Sequence, residues 1–121
     1  MVLYANFYRI ESKYLSYLKP QGNLNTISIG IPIIQYSDNY TIHNIIMNFR
    51  DNLWLNYYQC AVRLLDMNNL NLIMNTIEDS LEEATCDKED KEYLESLIKD
   101  IDKLYDSIEY NDRLAYVWIK N

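Results

Sequence analysis

Apolar residues near the start of the chain recur at the spacing of one helix face. They lie four and three positions apart, and 3.6 residues per turn bring such positions onto one side of a helix. The residues are Leu3, Phe7, Ile10, Tyr14 and Tyr17. We predict a first helix over residues 2–18, ended by Pro20. Because the segment is rich in tyrosine, a strand stays open as the alternative.

The next segment alternates apolar and polar residues. Every second position from 27 to 33 is isoleucine, which is the period of a half-buried strand. Pro32 has no amide donor, so this strand should lie at a sheet edge or bend near Gly30. We predict a short β element within residues 25–36. The tail at 113–120 favours β structure, and we expect it to pair with that element.

The rest of the chain has helical periods. A long central helix is indicated from Ile42 to Leu65, a second helix begins at Asn68 or Asn69, and a last one begins at Asp87. The second helix has an inner face of Leu70, Ile73, Met74, Ile77 and Leu81. The last helix has an apolar stripe of Leu94, Leu97, Ile98, Ile101, Leu104, Tyr105 and Ile108.

These patterns together predict the fold class. We expect a mainly α protein, a small bundle of about four helices with a short β element, and keep an α+β fold as the alternative. A chain of 121 residues with 49% apolar and 24% charged residues is typical of one folded domain, here 1–121.

Charge and cysteine content narrow the function classes. A net charge of −7 disfavours direct binding to nucleic acid or an anionic membrane and favours a basic protein partner. Cys60 and Cys86 are too few for a disulfide framework, although a bridge between them stays open. With no signal-like opening and no apolar run long enough to span a bilayer, we expect a cytoplasmic protein.

The negative charge is concentrated in one segment. Residues 78–112 contain fourteen acidic and four basic side chains, whereas residues 1–77 contain four acidic and five basic ones. Acids from Asp87 to Glu92 suit the positive end of the last helix. Acids from Glu78 to Glu83 lie at the negative end of the preceding helix and include like-charge pairs four residues apart. Helix stability does not account for the acids from Glu78 to Glu83, so they serve either recognition or solubility.

Signals for catalysis are weak. His43 is the single histidine, no nucleophile motif accompanies it, and its place in the first turn of a helix predicts an exposed or capping role. Histidine and cysteine spacing matches no zinc pattern, and the isolated glycines form no phosphate-binding loop. We predict no cofactor, no metal site and no enzyme. A small hydrolase that uses carboxylates is a remote alternative.

We therefore predict a small acidic inhibitor that neutralises a basic protein by occlusion, such as the immunity partner of a nuclease-type toxin or another mobile-element inhibitor. Tyrosine and tryptophan are enriched at binding hot spots, so aromatic anchors join the acids. The predicted partner-binding residues are Glu78, Asp79, Glu82, Glu83, Asp87, Glu89, Asp90, Trp54 and Tyr58. The alternative is a helical structural or adaptor module whose stripe at 94–108 pairs with itself, including a viral helical-bundle protein that binds a host helix in a groove.

Overall fold

The structure, a computed structural model, describes residues 3–13, 32–49, 54–56, 60–83 and 88–119. In chain order these form β1 (Tyr4–Ile10), β2 (Ile34–Ser37), α1 (Tyr40–Met47), β3 (Trp54–Asn56), β4 (Cys60–Leu65), α2 (Met67–Glu83), α3 (Lys88–Ser107) and β5 (Arg113–Ile119). The described strands make one sheet in the order β2-β1-β5-β4-β3, and each neighbouring pair is antiparallel. The expectation of a mainly α helical bundle is therefore wrong, and the fold is α+β.

Strand register places one set of side chains toward the helices. Phe7 of β1 and Arg63 of β4 both lie opposite Tyr116 of β5. Residues directly opposite share a face of the sheet. Tyr116 and Phe7 are each 1% exposed, and they belong to a core that also contains buried residues of α1, α2 and α3. The helices therefore cover this face.

The predicted first helix over residues 2–18 is wrong where the structure describes it, because residues 4–10 form β1. Leu3, Ala5 and Phe7 are buried, whereas Tyr4 is exposed and Asn6 half-buried, which is strand alternation. Residues four positions apart share a face in a helix and in a strand alike. The spacing of Leu3 and Phe7 therefore could not separate the two structures. Residues 14–18 lie outside the described part.

The predicted long central helix is also wrong. Among the described residues of this segment, only 40–47 are helical, and residues 54–56 and 60–65 form strands. In β4, Ala61, Val62, Leu64 and Leu65 are all buried. They lie on both faces of a strand inside the sheet, and such strands carry nearly continuous apolar runs. In the sequence, such an apolar run cannot be distinguished from a segment of a buried helix by its periodicity.

The β element predicted within 25–36 is found in part, as β2 at a sheet edge. Residues 25–31, including the alternating isoleucines before Pro32, lie outside the described part. The tail does form a strand, β5, but its expected pairing with this element is wrong. β5 pairs with β1 and β4, and β1 lies between β5 and β2.

The last two predicted helices are confirmed as α2 and α3. Their inner faces contain the expected residues, since Leu70, Ile73 and Ile77 of α2 and Leu97 and Ile101 of α3 are each at most 2% exposed. An N-terminal capping pair begins α2: the amide of Asn69 donates to Asp66 Oδ1 at 2.8 Å, and the amide of Asp66 donates to Asn69 Oδ1 at 3.0 Å. In the described part of the chain, no helix has the length and apolarity needed to cross a membrane.

The connection between β2 and α1 depends on two polar residues. Asp38 has a φ of 58°, in the left-handed region that aspartate and asparagine tolerate better than most residues. Its carboxylate accepts a hydrogen bond from the amide of Leu3 at 2.8 Å. Asn39 then caps α1 by accepting from the amide of Ile42 at 3.2 Å.

We predict that Phe7→Ala lowers the free energy of unfolding by about 3 to 5 kcal/mol, because it leaves a cavity beside Tyr116 and Tyr36. The matched control is Tyr4→Ala on the same strand. Tyr4 is 49% exposed, so its loss should cost about 1 kcal/mol or less. Urea unfolding measures both values. Similar losses for the two variants would contradict the alternation of β1.

Candidate functional site

The helices α2 and α3 form an antiparallel hairpin. Near its base, the hydroxyl of Tyr105 donates to Asn71 Oδ1, which joins the end of α3 to the beginning of α2. Only residues 84–87 separate the two helices in the sequence, so Glu83 and Lys88 lie at the same opposite end. The acidic residues at the end of α2 and those at the start of α3 therefore lie at the same end of the hairpin.

Four carboxylates lie on the outer side of α2 at that end. Successive residues turn by about 100° around a helix, which places Glu78, Asp79, Glu82 and Glu83 away from the buried face centred on Ile77. All four are exposed. The sequence predicted this placement, and within the described residues these side chains make no hydrogen bond or ion pair that would explain them.

The beginning of α3 adds Glu89 and Asp90, both exposed and both in its first turn. Glu92 forms an ion pair with Lys88 at 3.8 Å, but the two side chains are 64% and 89% exposed. Such solvent-exposed pairs contribute little to stability. We call the group Glu78, Asp79, Glu82, Glu83, Glu89 and Asp90 the acidic end.

The remaining predicted binding residues are not joined to the acidic end by the described structure. Trp54 belongs to β3 in the sheet, whereas Tyr58 and Asp87 lie outside the described residues. Six of the nine predicted residues therefore lie at this end of the α2–α3 hairpin. The expectation that Trp54 and Tyr58 supply the aromatic contacts stays a prediction.

Two tyrosines that the sequence did not single out lie beside the acidic end. Tyr93 is one helical turn after Glu89, and its hydroxyl is 3.2 Å from Asn39 Oδ1 and 3.3 Å from Thr41 Oγ1. This contact brings α3 next to the start of α1, where Tyr40 lies. Tyr93 is 43% exposed and Tyr40 is 49% exposed. The four-residue spacing of Glu89 and Tyr93 was the available signal, but the proximity of Tyr40 depends on the fold.

Two other carboxylates of the acidic segment serve the fold. Asp100 accepts a hydrogen bond from the hydroxyl of Tyr36 at 2.8 Å, which attaches α3 to β2. Burial raises the pKa of Tyr36, and this bond raises it further. Asp100 is therefore occupied by a contact within the chain.

Asp112 is the second carboxylate with a structural role and is 4% exposed. Its oxygens accept from Arg9 Nε at 2.8 Å, the amide of Glu109 at 2.9 Å and the amide of Ser12 at 3.3 Å. Burial alone would raise the pKa of Asp112, but these hydrogen bonds and the charge of Arg9 lower it below its usual value. The carboxylate fixes the turn between α3 and β5 against β1.

The chemistry of the acidic end is that of an electrostatic contact surface. Its carboxylates are exposed, and exposed carboxylates attract lysine and arginine side chains without needing a cavity. Within the described ranges, no three histidine, cysteine, aspartate or glutamate side chains come together as a metal-binding group. A surface of this kind binds through charge and shape.

The chain matches no protein-family model, no curated protein and no solved structure.

We predict opposite effects on the free energy of unfolding for the α2 carboxylates and the α3 carboxylates of the acidic end. Changing Glu78, Asp79, Glu82 and Glu83 together to the matching amides should leave the free energy of unfolding unchanged or raise it by up to about 1 kcal/mol. The reason is that like-charge repulsion at the negative end of α2 is removed.

The matched control is Glu89→Gln with Asp90→Asn, which should lower the free energy of unfolding by about 0.3 to 1 kcal/mol per residue, since it removes charges from the positive end of α3. Urea unfolding at low salt measures both. A clear loss of stability in the α2 variant would show that its carboxylates support the fold, and would remove the reason to assign them to recognition.

Proposed function

We propose that this protein is a small acidic inhibitor that binds a basic protein and neutralises it by occlusion, as an immunity protein does for a nuclease-type toxin. The supporting observation is the acidic end itself. It gathers carboxylates from two helices on an exposed surface, and four of them lie where helix electrostatics oppose them. Glu78, Asp79, Glu82 and Glu83 do not stabilise the helix end that carries them, so they are candidates for binding.

The proposed mechanism follows from charge. A protein that holds nucleic acid does so with lysine and arginine side chains that contact phosphates. Carboxylates of the acidic end would occupy the same side chains, so the partner could not hold its substrate. Opposite charge on the two surfaces would accelerate their encounter and make association sensitive to salt.

Aromatic contacts would supply the part of the affinity that does not depend on salt. Tyr93 and Tyr40 are half exposed beside the acidic end, and tyrosine is enriched among residues that dominate binding energy. The hydroxyl of Tyr93 is held by Asn39 and Thr41. Its ring is therefore positioned before binding, which lowers the entropy lost in a complex.

The alternative, a helical adaptor that pairs through the stripe at 94–108, lacks an accessible surface in this fold. Leu97, Ile101 and Leu104 are at most 2% exposed, and Ile108 is 8% exposed. They pack in the core shared with α2 and the sheet. Pairing through this stripe would require the chain to give up its own core.

We predict that a pull-down from lysate of the native host captures one basic protein with the wild type and releases it as salt rises. The test variant changes Asp79, Glu82 and Glu83 to serine. The matched control changes Asp102, Asp106 and Glu109, which are exposed toward the other end of α3. In each variant, three neutralised carboxylates bring the net charge from −7 to −4.

The control variant should capture the partner and the test variant should not. Purified partner should lose its own activity when wild type is added and keep it when the test variant is added. Equal capture by wild type and test variant would contradict the proposal. Equal loss in both variants would assign the effect to net charge instead of to the acidic end.

We predict that Tyr93→Ala weakens binding of the captured partner by about tenfold or more at low and high salt alike, because the lost contact is mainly apolar. Tyr93→Phe keeps the ring and should bind almost normally. Tyr110→Ala is the matched control, since Tyr110 is 81% exposed and follows the opposite end of α3. Titration calorimetry measures all three. Unchanged affinity in Tyr93→Ala would exclude this tyrosine from the interface.

A further inference from the structure

His43 contacts the sheet instead of solvent. The sequence predicted an exposed or capping role, which is wrong, because the imidazole is half-buried between α1 and β5. Its Nδ1 lies 2.8 Å from the hydroxyl oxygen of Tyr116. Its ring centre is 5.5 Å from that of Trp118 and 6.5 Å from that of Tyr40, both in edge-to-face arrangements. Aromatic contacts on either side fix the orientation of the ring.

The helix α1 depends on such contacts. It has eight residues, and an isolated helix of that length is not stable in water. Ile42 and Ile46 anchor it in the core. Polar contacts add to this attachment. They include the contact of His43 with Tyr116, the contact of Thr41 with Tyr93, and the guanidinium of Arg63, whose Nη1 donates to the carbonyls of Ile46 and Phe49 at 2.7 Å each.

The surroundings of His43 favour its neutral form. Burial lowers the pKa of His43 below its usual value, and the positive charge of Arg63 on β4 lowers it further. Among the described residues, the other titratable groups in contact with the ring are Tyr40 on α1 and Tyr116 on β5. Burial raises the pKa of Tyr116, so this hydroxyl stays protonated and offers no negative charge to an imidazolium.

The geometry points to an acid-sensitive latch, in which neutral His43 holds α1 against the sheet through Tyr116 and its protonation raises the fraction of molecules with α1 detached. A proton added to His43 places a second positive charge near Arg63 in a half-buried site. Detachment exposes the imidazole to water and removes that cost. The strands β1, β4 and β5 do not depend on this contact and stay paired.

The direction of the pH dependence follows from linkage. The pKa of His43 is lower with α1 attached than with it detached, so detachment takes up protons. The attachment of α1 is strongest above about pH 6.5, which is the pKa of an unperturbed histidine. It weakens as the pH falls through the lower pKa of the attached state. Each unit of difference between the two pKa values changes the detachment equilibrium by up to about tenfold.

The test is hydrogen exchange of backbone amides, followed by NMR from pH 7.5 to 5 and corrected for the intrinsic effect of pH. Protection of Ile45 and Ile46 in α1 should fall as the pH falls, whereas protection of Ile73 and Ile77 in α2 should not. The matched variant is His43→Asn, whose amide can reach Tyr116 and does not titrate. Its protection in α1 should be independent of pH.

Three results would overturn the latch: protection in α1 that does not change with pH in the wild type, the same change in His43→Asn, or an equal loss in α2, which would mean global unfolding. If the variant does not fold, the wild type alone decides. His43 is the single histidine of the chain, so its NMR titration is unambiguous. A pKa at or above about 6.5 would also overturn the latch.

Discussion

The position of β5 between β1 and β4 is the constraint on which the rest of this fold depends. β5 pairs with β1, the first described strand, and with β4. This position sets Phe7 and Arg63 on either side of Tyr116. Bringing such distant segments together costs chain entropy that grows with the length of the loop. Burial of Phe7, Tyr116 and the apolar faces of the helices offsets that cost. The helices therefore must pack on the same face as Tyr116.

This packing separates carboxylates that contact the sheet side from carboxylates that remain exposed on α2 and α3. Asp100 and Asp112 face the sheet side, where a tyrosine, an arginine and backbone amides satisfy them. The acidic end faces outward, since the opposite sides of α2 and α3 are committed to the core. The difference is a matter of position in the fold, because all of these residues have the same chemistry.

The short helix α1 connects the two regions to which we assign a role. Its start contacts Tyr93 at the acidic end, and its middle contacts Tyr116 through His43. A change in the attachment of α1 would therefore alter the surroundings of Tyr93. The proposed latch and the proposed binding surface share this helix, although the experiments on them are independent.

The sequence by itself determined α2, α3 and the excess of carboxylates at their junction, because these features repeat at the helix period and depend on residues close in the chain. It also marked the β-forming tail, but not its partners. Only the tertiary structure decided that residues 4–10 and 60–65 are strands. Leu3 and Phe7 suit a helix and a strand equally, and β4 is apolar on both faces because it lies within the sheet. The contacts of Asn39 with Tyr93 and of His43 with Tyr116 could likewise not be predicted from the sequence, since each joins residues more than fifty positions apart. Local patterns report which side of an element is buried, and the pairing of distant strands decides what lies against it.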